Sequence, residues 1–267
     1  MIVAVLGGGR IGEAVARSLS RSKSVSRVIM TRRNLGPVRH LASSKLQVTT
    51  DNRRAAKDAD LVIVSVKAGD AKALLKEISG VTRGKLVVSL MAAVSIKRIQ
   101  AALPGAKVVR AMPNIAATIR ESITAYSLSP EVSEGETRAV ESVLRSFGES
   151  IRVPESLMNA VTALSGSGPA YIATFIESMV SGALMVGMPR EIASKLVTKT
   201  LVGTADLLEE KKMHPAELRD SVTTPAGTTI AGIYELEKGS FRTSVMNAVE
   251  AATRASERVA KKFEGEE

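Results

Sequence analysis

IVAVLGGGRIGEAVARSL (residues 2–19) reads as a strand, a glycine turn and a helix in immediate succession. The apolar run at 2–6 has the character of a strand buried on both faces. Gly7-x-Gly9-x-x-Gly12 joins it to a segment with helical spacing. In that setting the first glycine permits a tight turn, the second lets the backbone approach a pyrophosphate, and the third lets helix and strand pack closely. The helix N-terminus then faces the phosphates with free N–H groups. The spacing alone is weak. Its place between the first strand and the first helix makes it a dinucleotide fingerprint rather than a plain glycine turn.

The same alternation continues outward. RVIM (27–30), LVIVSV (61–66), KLVVSL (85–90) and KVVRAM (107–112) read as buried strands, with helical spacing between them, for example over 71–78. SITAYSL (122–128) and SIRV (150–153) read as two more, linked by a helix within 131–147. After Pro154 strand signals stop, and helices are predicted over 155–163, 168–186, 189–211, 214–221, 226–237 and 241–262. The predicted fold is α/β: a Rossmann-type, doubly wound parallel sheet over 1–153, followed by an all-α domain over 154–267.

Thr31-Arg32-Arg33 follows the second strand. A site for NAD usually places a carboxylate there to bind the ribose 2′-hydroxyl. Arginines instead grip a 2′-phosphate with charged, paired hydrogen bonds, so the pattern points to NADP. The alternative is two solvated arginines on an ordinary loop.

The 267 residues carry a net charge of +10, no cysteine and two histidines. Thiolate metal sites, disulfides and cysteine nucleophiles are therefore excluded, and His40 and His214 lie too far apart in sequence for a metal-ligand spacing. The basic residues form no long run and only 3 % of residues are aromatic. That pattern argues against nucleic acid and for a solvated surface that attracts small anions. MIVAVLGGG lacks a basic flank and a cleavage site, so the protein is expected to be cytoplasmic.

SGSGPAYIATFIESMVSGALMVGMP (165–189) has almost the length of a membrane span. Ser, Thr and Gly interrupt it, and Glu177 sits near its middle, which is costly in lipid. A helix apolar all round is expected where it is buried on several sides. Some 110 residues of helix are few to bury this much aliphatic surface alone, so the expected partner is a second copy, in a homodimer that can assemble into a ring of dimers.

LVIVSVKAGD (61–70), VVRAMPNIAATIRESITAY (108–126), ALSGSGPAY (163–171) with GMPRE (187–191), and HPAELRDSVTTPAGTTIAGIYELEKGSFR (214–242) run through the rest of the chain. On these motifs it resembles the pyrroline-5-carboxylate reductases, the NADPH-dependent last enzymes of proline biosynthesis. The last two motifs are specific to that family. The resemblance implies a helical domain that dimerises. It also implies cofactor contacts at Leu6, Gly7, Gly8, Gly9, Arg10, Ile11 and Gly12 in the phosphate loop, and at Thr31, Arg32 and Arg33 around the 2′-phosphate. Asn52, Val66, Lys67, Ala92, Ala93, Asn114 and Ser221 match further cofactor positions. Thr224, Gly227, Thr228 and Thr229 match the turn that holds the substrate carboxylate, with the Thr229 hydroxyl beside the ring nitrogen. Glu155 matches an acidic position associated with substrate.

The chain departs from the family pattern at four places. VKP becomes Val66-Lys67-Ala68, MPNTP becomes MPN-Ile115-Ala116, and SPGGTT becomes Thr224-Pro225-Ala226-Gly227-Thr228-Thr229. AAG falls on Met91-Ala92-Ala93 or on Ala92-Ala93-Val94. Each swap adds or moves a methyl group and none removes a charge.

The residues themselves agree with imine reduction. A protonated imine is already electrophilic and needs no strong protein acid, and the motif loops offer no obvious catalytic His, Cys or Lys. A Gly/Thr-rich turn entering a helix offers N–H donors to a carboxylate. Thr229 can donate to or accept from a ring nitrogen, although Thr228 and Thr229 could instead cap the following helix. Glu155 could equally be a first-turn acid favoured by the helix dipole. The alternatives are reduction of a related cyclic imine carboxylate, a β-hydroxyacid dehydrogenase-like reaction, and a non-enzymatic NADP-binding regulator. The second needs a lysine on the helix after the domain boundary, yet none occurs between Lys107 and Lys195.

Overall fold

Backbone pairing gathers the apolar runs into one eight-stranded sheet. The computed structural model describes residues 1–265, Glu264 by its backbone alone. The strands are β1 (Ile2–Leu6), β2 (Arg27–Thr31), β3 (Leu46–Thr49), β4 (Leu61–Val64), β5 (Leu86–Ser89), β6 (Lys107–Met112), β7 (Ser122–Leu128) and β8 (Gly148–Arg152). Their order is β3-β2-β1-β4-β5-β6-β7-β8. β1 pairs in parallel with β2, Val5 opposite Met30, and with β4, Val5 opposite Ile63. The chain order reverses at β1, so the turn leaving it opens into the crevice where open α/β sheets bind ligands.

Two features differ from the sequence expectation. β3 was not expected: LQVT is short, edge-on and only partly buried, and shows no clear apolar run. The sheet is also not wholly parallel, because β6 and β7 are antiparallel. Their connection holds only the 3₁₀ turn Ile115–Ile119, too short for the crossover that a parallel pair requires.

Helices α1 (Arg10–Arg21), α2 (Asn52–Asp58), α3 (Ala68–Ile78), α4 (Ile96–Ala102) and α5 (Glu134–Leu144) cover the sheet. Side chains alternate along each strand. Along β4, Leu61 and Ile63 enter a core with Val15, Leu19 and Phe147, while Val62 and Val64 enter another with Leu74, Ile78 and Ile99. Lys85 donates to the carbonyls of Ala56, Lys57 and Ala59 where α2 ends, a site that favours a cation. Burial there lowers its pKa, against the opposing pull of Asp60 and Asp58.

The rest of the chain is helical: α6 (Met158–Val161), α7 (Gly168–Met185), α8 (Arg190–Lys211), α9 (Pro215–Ser221), α10 (Thr228–Lys238) and α11 (Phe241–Glu264). Compactness divides the molecule at residues the sequence did not mark. Met1–Pro169 and the chain from Glu250 form one unit, and Ala170–Val249 form the other. In the first unit Ser256 donates to Asn159 across 3.0 Å, tying the end of α11 to α6. In the second, the buried core is Val180, Ala193 and Val197. No helix among the described residues is long and apolar enough to cross a membrane.

Thr162–Gly166 forms a π turn, and the Ser167 N–H donates to Thr162 O. A Cβ on Gly166 would lie 2.9 Å from Met112 Cε, the mobile end of a side chain that can shift to make room.

Candidate active site

The phosphate loop is built by exclusion. Gly7 has φ +106, and a Cβ there would lie 2.6 Å from Ser65 O and 2.7 Å from Val66 Cγ1. A Cβ on Gly12 would lie 2.0 Å from Gly7 O. Neither position can carry a side chain. Gly9 differs: a Cβ there meets nothing within 4 Å. Its missing side chain leaves room on the open side, as a ligand approaching the backbone requires. Gly9 also caps α1 without a side-chain hydrogen bond, so the first-turn N–H groups remain available to an anion.

Beside the loop lies a cleft of about 290 Å³ lined by Gly7, Thr31, Arg32, Arg33, Asn52 and Val66, together with carboxylates discussed below. A hydrogen-bond chain holds it. The N–H of Gly7 donates to Thr31 Oγ1 (3.3 Å), Thr31 Oγ1 to Asn52 Oδ1 (2.6 Å), and Asn52 Nδ2 to Glu77 Oε2 (3.0 Å). Thr31 is buried and accepts from Gly7 and Gly8 through its carbonyl as well. The open Gly9, the uncapped α1 and the paired arginines all suit a phosphorylated dinucleotide.

The remaining cofactor candidates of the first unit follow the carboxyl ends of the neighbouring strands. Lys67 is the extended N-cap of α3 and makes no side-chain cap. Ala92 and Ala93 follow β5, and Ala93 holds φ +62. That value places Ala93 where AAG has its glycine, and so aligns AAG on Met91-Ala92-Ala93. Asn114 caps the turn after β6, accepting from the Ala116 N–H at 3.0 Å, while its own N–H donates to Ser122 Oγ.

Glu155 is already occupied. Its Oε1 accepts from the Ile96 N–H at 2.7 Å and pairs with Arg110 at 3.3 Å. Arg110 is buried, and removing its partner would leave a charge uncompensated. The carboxylate therefore anchors the start of α4.

In the second unit, Thr224-Pro225-Ala226-Gly227 forms a turn closed by Gly227 N–H to Thr224 O at 3.0 Å. Pro225 fixes a negative φ and Ala226 has φ +56, the type II pattern. A Cβ on Gly227 would lie 2.2 Å from Thr224 Oγ1. Gly227 caps α10, with no side-chain hydrogen bond, and Thr228 and Thr229 are the first two helical residues. The threonines thus do not cap the helix, and its leading N–H groups stay open. Ser221 lies at the end of α9 and its hydroxyl donates to Leu218 O.

A family model for pyrroline-5-carboxylate reductase dimerisation matches residues 155–259, and one for NADP oxidoreductase, coenzyme F420-dependent, matches residues 2–93. The pyrroline-5-carboxylate reductase of Synechocystis is 38 % identical, covering 97 % of this chain and 98 % of its own. That of Methanosarcina acetivorans is 37 % identical, covering 97 % and 98 %.

The chain belongs to the pyrroline-5-carboxylate reductase family.

Among solved structures, the Plasmodium falciparum reductase with NADP bound is similar at TM-score 0.89 and 27 % identity, covering 97 % of this chain and 98 % of its own. A reductase from Coxiella burnetii matches at TM-score 0.89, 30 % identity and the same coverage. An imine reductase from Myxococcus stipitatus, at 19 % identity and TM-score 0.59, shares the fold.

Set against the family pattern, the departures acquire a physical meaning. Ala93 and Ala226 stand in left-handed backbone where the pattern has glycine. Ala68 is the first residue of α3, a position that proline also suits. Asp70 and Glu77, which line the cleft beside the glycine loop, are residues the sequence reading missed. They sit seven apart on α3, hence on one face, but nothing in the sequence says which face meets the cleft.

Proposed function

We infer that this member of the family reduces 1-pyrroline-5-carboxylate to L-proline, with NADPH as its preferred donor. It is an NAD(P)H-dependent oxidoreductase acting on a C=N bond in proline biosynthesis. The observation that carries the substrate side is the uncapped N-terminus of α10 behind the Thr224–Gly227 turn. A carboxylate at that end meets N–H donors and the positive end of the helix dipole. Thr224, Gly227, Thr228 and Thr229 hold it, and Thr229 orients the ring nitrogen and relays its proton.

Gly7 to Gly12 would hold the pyrophosphate, Thr31, Arg32, Arg33 and Asn52 the 2′-phosphorylated ribose, and Val66, Lys67, Ala92, Ala93 and Asn114 the remainder; Ser221 is a further contact. Bound NADPH supplies the hydride. The ring carbon would gain that hydride and the C=N π pair would pass to the already protonated nitrogen, which stays in the ring as the secondary amine of proline. Stabilisation comes from position and fixed dipoles rather than from a strong acid.

Apolar residues exposed along the helices of the second unit support self-association as a homodimer, and a ring of dimers is its natural extension. A cytoplasmic location completes the reading. Oxidation of NADPH, followed optically with pyrroline-5-carboxylate and a six-membered analogue side by side, tests it. Turnover on the five-membered ring is expected to dominate; a preference for the six-membered ring would move the chain to the related imine class.

A further inference from the structure

The cofactor cleft carries both signs of charge. Arg32 and Arg33 line it, and so do Asp70 and Glu77. Arg33 Nη2 meets Asp70 Oδ1 at 2.5 Å, and Glu77 Oε2 accepts from the amide of Asn52, which is itself tied to Thr31. The four formal charges cancel. A 2′-phosphate entering here must displace or share Asp70 on Arg33, and it comes close to two carboxylates of its own sign. A 2′-hydroxyl carries no charge and pays neither penalty; it can donate to a carboxylate.

We propose that Asp70 and Glu77 set cofactor preference, holding the selectivity for NADPH over NADH below what the two arginines would give alone. The inference rests on the NADPH reading above. The Arg33–Asp70 pair is well exposed, its side chains 85 % and 41 % accessible. An exposed pair contributes little to stability, so its removal leaves the fold intact while it frees the guanidinium. The residual repulsion acts through solvent, which limits its size and makes it sensitive to salt.

The test is direct binding, by calorimetric titration of NADPH and NADH into the wild-type chain, Asp70→Asn, Glu77→Gln and the double variant, at low and high NaCl. Asp70→Asn should tighten NADPH about five- to ten-fold at low salt and leave NADH within about two-fold. Glu77→Gln should act in the same direction, the double variant should exceed either, and high salt should shrink the gain. A ratio of the two Kd values unchanged by both substitutions would overturn the proposal. So would a weaker NADPH complex in Asp70→Asn, which would make Asp70 a support for Arg33. Failure of the underlying reading is seen separately: wild-type chain binding NADH as tightly as NADPH would sink the stated preference, yet Asp70→Asn must still move the ratio.

Discussion

The two units of this molecule solve the same problem unequally. Each carries a glycine-bearing turn that enters a helix whose first N–H groups are uncapped, at Gly9 and at Gly227. Around the first turn the sheet closes its own core on both faces, with Leu6, Ile63 and Phe147 fully buried. Around the second, α10 has no buried residue, and Tyr234 and Leu236 stand 65 % and 48 % exposed. The first turn places glycine where φ is positive, while the second places Ala226 there. One turn is finished by its own fold. The other is mildly strained and lies on a surface that a second copy would complete.

The comparison breaks most readily at its extremes. Gly12→Ala forces a Cβ into backbone, which cannot give way as a flexible side chain can. Stability should fall by about 3 kcal/mol or more, with cofactor binding lost; a thermal melt at the wild-type temperature would show that the loop has slack. Leu236→Glu tests the other side. The folded chain tolerates a charge there, but an apolar interface does not, so light scattering at micromolar concentration should show monomer in place of dimer, with a loss of about 2–4 kcal/mol in association. A dimer that survives would remove α10 from the interface.

Arg32→Ala with Arg33→Ala sharpens the contrast between a charged site and a dipolar one. Each lost charged contact should cost about 1.5–3 kcal/mol of NADPH binding and much less of NADH; equal losses would mean that neither arginine reads the 2′-phosphate. Ala226→Gly relieves left-handed strain at the second turn, and a melt should rise by about 0.5–1 kcal/mol in stability with turnover kept. A large loss of turnover would show that the methyl group shapes the substrate turn.

A further effect lies at the start of α5 in the first unit. Glu136 is held down to about 2, chiefly by a hydrogen bond from Lys107 and then by those from the backbone and side chain of Ser133. Its folded pKa is below the ordinary 4.5, so the stability it adds is present above about pH 4.5 and fades as pH falls towards 2. Glu136→Gln should cost about 1 kcal/mol at pH 7 and nothing near pH 2. Melts across that range check the sign.

Much of this was legible in the residues. GGGRIG after IVAVL marks the strand–turn–helix that the structure forms there and points to a dinucleotide, because few other uses require three glycines at that spacing between strand and helix. TPAGTT before an amphipathic helix likewise marks a turn and its donors. Glu155 was legible only in part: it is the first-turn acid that its place after Pro154 suggests, but its partners, Arg110 and the Ile96 N–H, come from distant β6 and α4. β3 escaped because an edge strand buries too little to leave a pattern.

By itself, then, the sequence determined what is local: the strand–turn–helix order, the Gly12 whose Cβ would meet Gly7 O, and the arginines in place of an acid after β2. These follow from sterics and charge within a few residues. Tertiary structure alone decided which distant groups share a cleft. The backbone must fold before Asp70 reaches Arg33, Glu77 reaches Asn52 and Glu155 reaches Arg110, because hydrogen bonds and ion pairs act over a few ångströms and no spacing in the chain encodes that approach.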